Sequence, residues 1–156
     1  MRLPGTVIVL LGSALSLALA VSGDALAAAG PIATLSHALT ANDEGHLHLV
    51  SESGSDIIEE GKVTGTLPGR VRVSFDLETA VTATFVLYPN GGGSIEGHAT
   101  GRLHSATRYS SFGGTMWITK GTGRYRHASG QGGLYGTILR EGSFPTVVQT
   151  RGTLHY

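Results

Sequence analysis

The sequence predicts an all-β fold, an eight-stranded antiparallel β-barrel, and three observations carry that prediction. Eight short segments alternate apolar residues with polar or small ones, which is the period of a strand whose two faces differ. No long stretch shows the 3.6-residue period of a helix. The chain holds 24 glycines in 156 residues, well above the usual ~7% share, and they are scattered among the alternating segments instead of forming a repeat. Glycines so placed mark bulges, bends and corners where a sheet curls. Closure into a barrel removes every sheet edge, whereas a two-sheet sandwich, the alternative architecture, leaves edges to protect.

Residues 1–27 read as an export signal. Arg2 precedes the apolar run Val7–Val21, and Ala25-Leu26-Ala27 supplies the small-x-small pattern that a signal peptidase accepts. The run is about 15 residues, short of the ~20 that a membrane helix needs. The expectation is therefore a cleaved leader, a secreted or periplasmic location, and no membrane span after cleavage. No cysteine follows, which excludes a lipoprotein anchor, and the lone Arg2 lacks a twin-arginine signal. Residues 28–45, with Pro31 and few apolar positions, read as a lead-in arm with one short strand at Ile32–His37. The barrel domain is placed at 46–156.

Strands are expected at His46–Ser53 and, after the turn Ser53-Gly54-Ser55-Asp56, at Ile57–Leu67. Pro68-Gly69 punctuates before Arg70–Glu78, where Val71, Val73, Phe75 and Leu77 share one face and Arg70, Arg72, Ser74 and Asp76 the other. Val81–Tyr88 repeats the pattern with Val81, Ala83, Phe85 and Leu87, about two residues from its predecessor, a spacing that suits a hairpin. Ser94–Ser105 places Ile95, Gly97, Ala99, Gly101 and Leu103 opposite Glu96, His98, Thr100, Arg102 and His104. Phe112–Thr119, Gly132–Arg140 and Thr146–Tyr156 complete the set. Between the sixth and seventh strands, Gly121-Thr122-Gly123 permits positive φ and close backbone approach, and Tyr125 to Ala128 is expected to fold one turn over the barrel mouth before Gly130 releases the chain.

Composition narrows the function classes. Eleven basic and 11 acidic residues balance, and losing the leader removes one of each, Arg2 and Asp24. No charge bias points to nucleic acid or anionic lipid. The absence of cysteine leaves stability to packing and the hydrogen-bond ladder, and for an exported chain it points to a bacterial envelope or culture medium. One domain of this size buries about two thirds of its unfolded surface, enough for a proper core.

The run Ile118-Thr119-Lys120-Gly121-Thr122-Gly123-Arg124-Tyr125-Arg126-His127-Ala128-Ser129-Gly130 resembles the Gly-Thr-Gly-x-aromatic-x-x-Ala-x-Gly corner of the allene oxide cyclase-like barrels, the group that includes plant dirigent proteins. The glycine-rich strand Gly92–Gly101 and the strand Leu134–Arg140 look similar too, so the likeness covers Gly91–Tyr156. It implies an eight-stranded antiparallel barrel with a hydrophobic lumen, and it implies homo-oligomers, since family members often form trimers. Family activities use polar groups inside the barrel to steer a cyclisation or a radical coupling. Here strand alternation gives the inner face apolar residues and assigns no polar side chain to it.

Several constellations bear on chemistry. His46, His48 and Glu52 fall on one face by parity, in the manner of a cupin metal site, but a cupin's second histidine motif is missing and no metal is expected. Glu96, His98, Arg102 and His104 form a polar strip suited to solvent or a subunit contact, and Arg72 and Asp76 suit cross-strand ion pairs. Gly121-Thr122-Gly123 lacks the Lys-Ser/Thr pair and helix of a phosphate loop. No cofactor is expected. The remaining expectation is a small apolar ligand in a lumen walled by Val73, Phe75, Phe85, Leu87, Met116 and Ile118, with Trp117, Tyr125 and Tyr135 at its mouth. A lumen filled by its own side chains, an allene oxide cyclase-like isomerase and a cupin-like metal enzyme are the alternatives.

Overall fold

In the computed structural model, residues 37–76, 81–104, 108–139 and 145–156 are described, and they carry eight strands: β1 Ala38–Ser53, β2 Asp56–Gly65, β3 Gly69–Asp76, β4 Val81–Pro89, β5 Ile95–Leu103, β6 Tyr109–Gly121, β7 Ser129–Leu139 and β8 Thr146–His155. Each pairs antiparallel with the next in chain order, and β8 returns to β1 to close the barrel. The closing register runs from Ala38↔His155 to Leu47↔Thr146. Just before it, His37 and Tyr156 exchange backbone hydrogen bonds of 2.8 and 2.9 Å, so the ladder reaches the end of the chain. Among the described residues, no helix is long and apolar enough to cross a membrane. The leader, the proposed strand at 32–37 apart from His37, and the β3–β4 link lie outside the described residues.

The eight predicted barrel strands form, and the main difference lies at the start. β1 begins at Ala38, so residues 38–45, read as arm, are strand paired to β8. Their inward side chains explain why the period was hidden. Ala41, Asp43 and Gly45 face the lumen with Leu47, and two small residues and an acid give no apolar alternation to detect.

Two bulges interrupt the ladder. On β1 the register passes from Leu49↔Glu59 to Ser51↔Ile58, leaving Val50 as the extra residue. On β6 it passes from Glu96↔Lys120 to Gly97↔Ile118, leaving Thr119. A bulge shifts strand phase by one, so residues beyond it change face.

The glycine corner forms a short 3-10 helix, Gly123–Tyr125, and Gly123 takes φ 60°. Beneath it Tyr125 is fully buried and Ala128 nearly so, packed with Ala41, Leu67, Ile95 and Leu154. This cluster closes the end of the barrel that carries the β2–β3, β4–β5 and β6–β7 connections. A second cluster of Leu47, Val73, Phe75 and Val81 lies toward the β1–β2 turn. A Cβ on residue 123 would also stand 3.1 Å from the Gly93 Cα. Gly123→Val is therefore expected to cost more than ~1 kcal/mol, from a β-branched side chain at positive φ, and Tyr125→Ala about 3–5 kcal/mol, from cavity formation. Urea denaturation of the purified protein measures both, and an unchanged midpoint for either variant contradicts this account of the corner.

Candidate functional site

The inner faces of the strands enclose a cavity of about 130 Å3. Its walls are mostly apolar, with Val73, Phe85, Leu87, Met116 and Ile118 among them, and Asp43, Thr150 and Thr153 as polar exceptions. Glycine makes room for the large rings. A Cβ on residue 136 would lie 2.2 Å from the Phe112 ring, and one on residue 97 would lie 2.5 Å from the Phe85 ring, so each ring occupies the space of an absent side chain on a facing strand. Asp43 sits where β1 meets the β2–β3 connection. Its Oδ1 accepts from the Leu67 backbone N–H at 2.7 Å. Burial raises its carboxyl above the usual value, and the hydrogen bonds from Leu67 and Thr66 offset only part of that.

At the opposite end, beside the β1–β2 turn, lies a second pocket of about 230 Å3. Phe75 and Phe112 line both spaces. The apolar wall of this mouth holds one buried acid: Glu59 is 3% exposed. Its Oε1 accepts from the Thr146 hydroxyl at 2.8 Å, while its Oε2 is buried without a hydrogen-bond partner among the described residues. Desolvation pushes its carboxyl up to about 7, against a smaller lowering by Thr146. Glu52 lines the same pocket from the exposed rim.

Sequence alternation assigned no polar group to the inner face; the structure places Glu59, Thr146 and Asp43 there. The signal for Glu59 was present in β2, because Ile57, Gly61 and Val63 make the apolar parity and Glu59 shares it, opposite Ile58, Glu60, Lys62 and Thr64. Thr146 likewise shares the parity of Val148 and Leu154.

Of the residues predicted for the ligand site, Val73, Phe75, Phe85, Leu87, Met116 and Ile118 line the lumen together. The three mouth aromatics lie elsewhere. Trp117 stacks on His98 with ring centroids 5.1 Å apart, on the face opposite Met116 and Ile118. Tyr125 is buried in the closed end, its ring 5.0 Å from that of Tyr156. Tyr135 is half-exposed beside a surface groove with Gln149 and Arg151.

His46, His48 and Glu52 do not share a face. His46 opposes Lys62 and His48 opposes Glu60 on the outside, while the Val50 bulge turns Glu52 to the side of Ile57. His46 Nε2 instead meets Glu44 Oε1 at 2.7 Å, and Glu44, also bonded to the Gln149 amide at 2.9 Å, is held below the usual carboxylate value by Gln149 first and His46 second. Among the described residues, no three His, Cys, Asp or Glu side chains converge as metal ligands. In the polar strip, Glu96 pairs with Lys120 at 2.9 Å. Arg72 makes the expected cross-strand ion pair, to Glu60.

A closed antiparallel barrel of eight strands is a dirigent-like fold. No protein-family model and no curated protein matches the sequence. Among solved structures the chain is similar to a pterocarpan synthase dirigent protein, at a TM-score of 0.53 and 11% identity over 78% of this chain and 86% of that one. At that identity the likeness is one of fold.

The raised carboxyl of Glu59 fixes a pH dependence. Its ordinary value is 4.5 and its folded value about 7, so the folded state holds this proton more tightly than the unfolded chain does. The associated stability is fully present below about 4.5 and is lost as pH rises through about 7. Between pH 5 and pH 8 the protein is expected to lose on the order of 1–3 kcal/mol through this group. Glu59→Gln keeps an acceptor for Thr146 and removes the titration, so its denaturant midpoint should change less over that range and exceed that of the unsubstituted protein at pH 8. Parallel curves for the two proteins rule out a buried, titrating Glu59.

Proposed function

We propose that this protein is an exported barrel that binds a small apolar molecule in its lumen or guides that molecule's chemistry there. The observation that carries the reading is the apolar cavity of about 130 Å3 between the inner faces of the strands. It falls below the ~300–1,000 Å3 of ordinary drug-sized sites but is close to an engineered apolar cavity of about 150 Å3 that stays dry and takes up benzene. The ligand is therefore a single ring or a short branched hydrocarbon, or the apolar end of something larger. The dirigent-like fold supports the same reading, since the similar solved protein is a synthase. Export rests on Arg2, the run Val7–Val21 and Ala25-Leu26-Ala27. Assembly into homo-oligomers through the outer strip would rely on Arg102 and His104, because Glu96 and His98 are engaged by Lys120 and Trp117.

The inward carboxyl of Glu59 favours a second reading, an allene oxide cyclase-like isomerase, which requires turnover of an unsaturated epoxide that is lost in Glu59→Gln. For the binding reading, native mass spectrometry of protein from its own source and thermal shift against small aromatic hydrocarbons are the measurements. The expected result is stabilisation that grows as RT ln(1 + [L]/Kd) and disappears in Phe85→Trp, whose larger ring fills the lumen. No co-purified ligand and no shift with any such compound would mean a barrel filled by its own side chains, with its role on the outer surface.

A further inference from the structure

We propose that the mouth beside the β1–β2 turn is a second binding site, separate from the lumen, that takes an organic ammonium cation carrying an apolar group, with Glu59 Oε2 as the acceptor of its N–H. The geometry supplies both halves of such a ligand's complement. The pocket of about 230 Å3 has apolar walls from Ile57, Phe75, Val81, Phe112 and Ile138, which suit a ring or a short chain. Glu59, a residue 3% exposed, lines it, with one carboxyl oxygen held by Thr146 at 2.8 Å and the other buried and without a partner among the described residues. A buried carboxylate oxygen left unpaired is costly, and a donor that pairs it removes that cost.

The sign of the charge decides which donor. Among the described residues, the titratable ones lining the pocket are Glu52, from β1, and Glu59 itself; β3, β4, β5, β6 and β7 contribute Phe75, Val81, Leu103, Phe112 and Ile138, none of them titratable. Two acids and no base among the described lining residues favour a cation over a neutral alcohol and disfavour an anion. Between pH 5 and 8, an ammonium group held against Glu59 would also keep that carboxyl ionised where burial alone holds it protonated, so binding releases a proton below about 7. The site can be distinguished from the lumen, with which it shares Phe75 and Phe112, because Phe85 lines the lumen and not the mouth.

The test uses the full chain and three probes of one shape, benzylamine, benzyl alcohol and phenylacetate, in calorimetric titrations at pH 6 and pH 8. Benzylamine is expected to saturate one site at pH 8 with at least about tenfold higher affinity than benzyl alcohol, phenylacetate binding more weakly still. At pH 6 its affinity should fall about tenfold with proton release, since only ionised Glu59 pairs with it. Glu59→Gln should abolish the preference for the amine, and Phe85→Trp should leave it in place while eliminating uptake of neutral hydrocarbons by the lumen. Equal affinities for amine and alcohol, a preference that survives Glu59→Gln, or a preference lost in Phe85→Trp each overturns the assignment. If Glu59→Gln does not fold, the pH series on the unsubstituted protein decides, and an affinity unchanged between pH 6 and pH 8 overturns it as well.

Discussion

Closure between β1 and β8 is the constraint on which the rest of the structure depends. β1 is 16 residues long, and it serves two partners: Ala38 to Leu47 pair with β8, and Asp43 to Ser53 pair with β2. The overlap of the two registers, at Asp43 to Leu47, is where the ring is joined. Without it β8 and β1 would be open edges with unpaired backbone groups, and the apolar inner face would lie open to water. The joint consists of backbone hydrogen bonds, so it makes little demand on side-chain identity. The lumen is then defined by a ring whose circumference is fixed, and only the inward side chains decide how much of it stays empty.

That division explains which features were readable in advance. Strands whose inner face is aliphatic or aromatic, such as β3 with Val71, Val73 and Phe75, announced themselves by alternation, and so did most of the lumen wall. The glycine corner was readable because positive φ at Gly123 and a buried aromatic at Tyr125 leave a local signature. The first half of β1 was not, because its inward set of Ala41, Asp43 and Gly45 lacks contrast with its outward set. Trp117 and Tyr135 were placed at the mouth because aromatic residues favour such positions, yet parity with Met116 and Leu134 already put each on the opposite face. Glu59 was passed over because its strand has acids on both parities, Glu59 inward and Glu60 outward, and alternation alone does not rank them.

The polar groups inside the barrel divide by role. Asp43 has its burial compensated locally by backbone donors from the β2–β3 connection, so it fastens a turn to a strand. Glu59 receives one hydroxyl and nothing further among the described residues. A fold with no need of that acid would gain from an apolar side chain in its place. Polar groups held at such cost inside otherwise apolar surroundings are where binding and chemistry are most often found.

The bulge at Val50 bears on how such a mouth can change. Strand faces follow a two-letter code, inside and outside, and one extra residue acts on it as a frameshift acts on a reading frame. Glu52 shares sequence parity with His46 and His48, yet it stands on the other surface because the frame changes between them. The acidity of the rim is therefore set by the length of β1 as much as by its composition. A single insertion or deletion near the β1–β2 turn exchanges the rim residues for their neighbours while the closing ladder to β8, which ends at Leu47, is left untouched. A barrel built in this way can revise the chemistry of its opening in one step without reopening the ring.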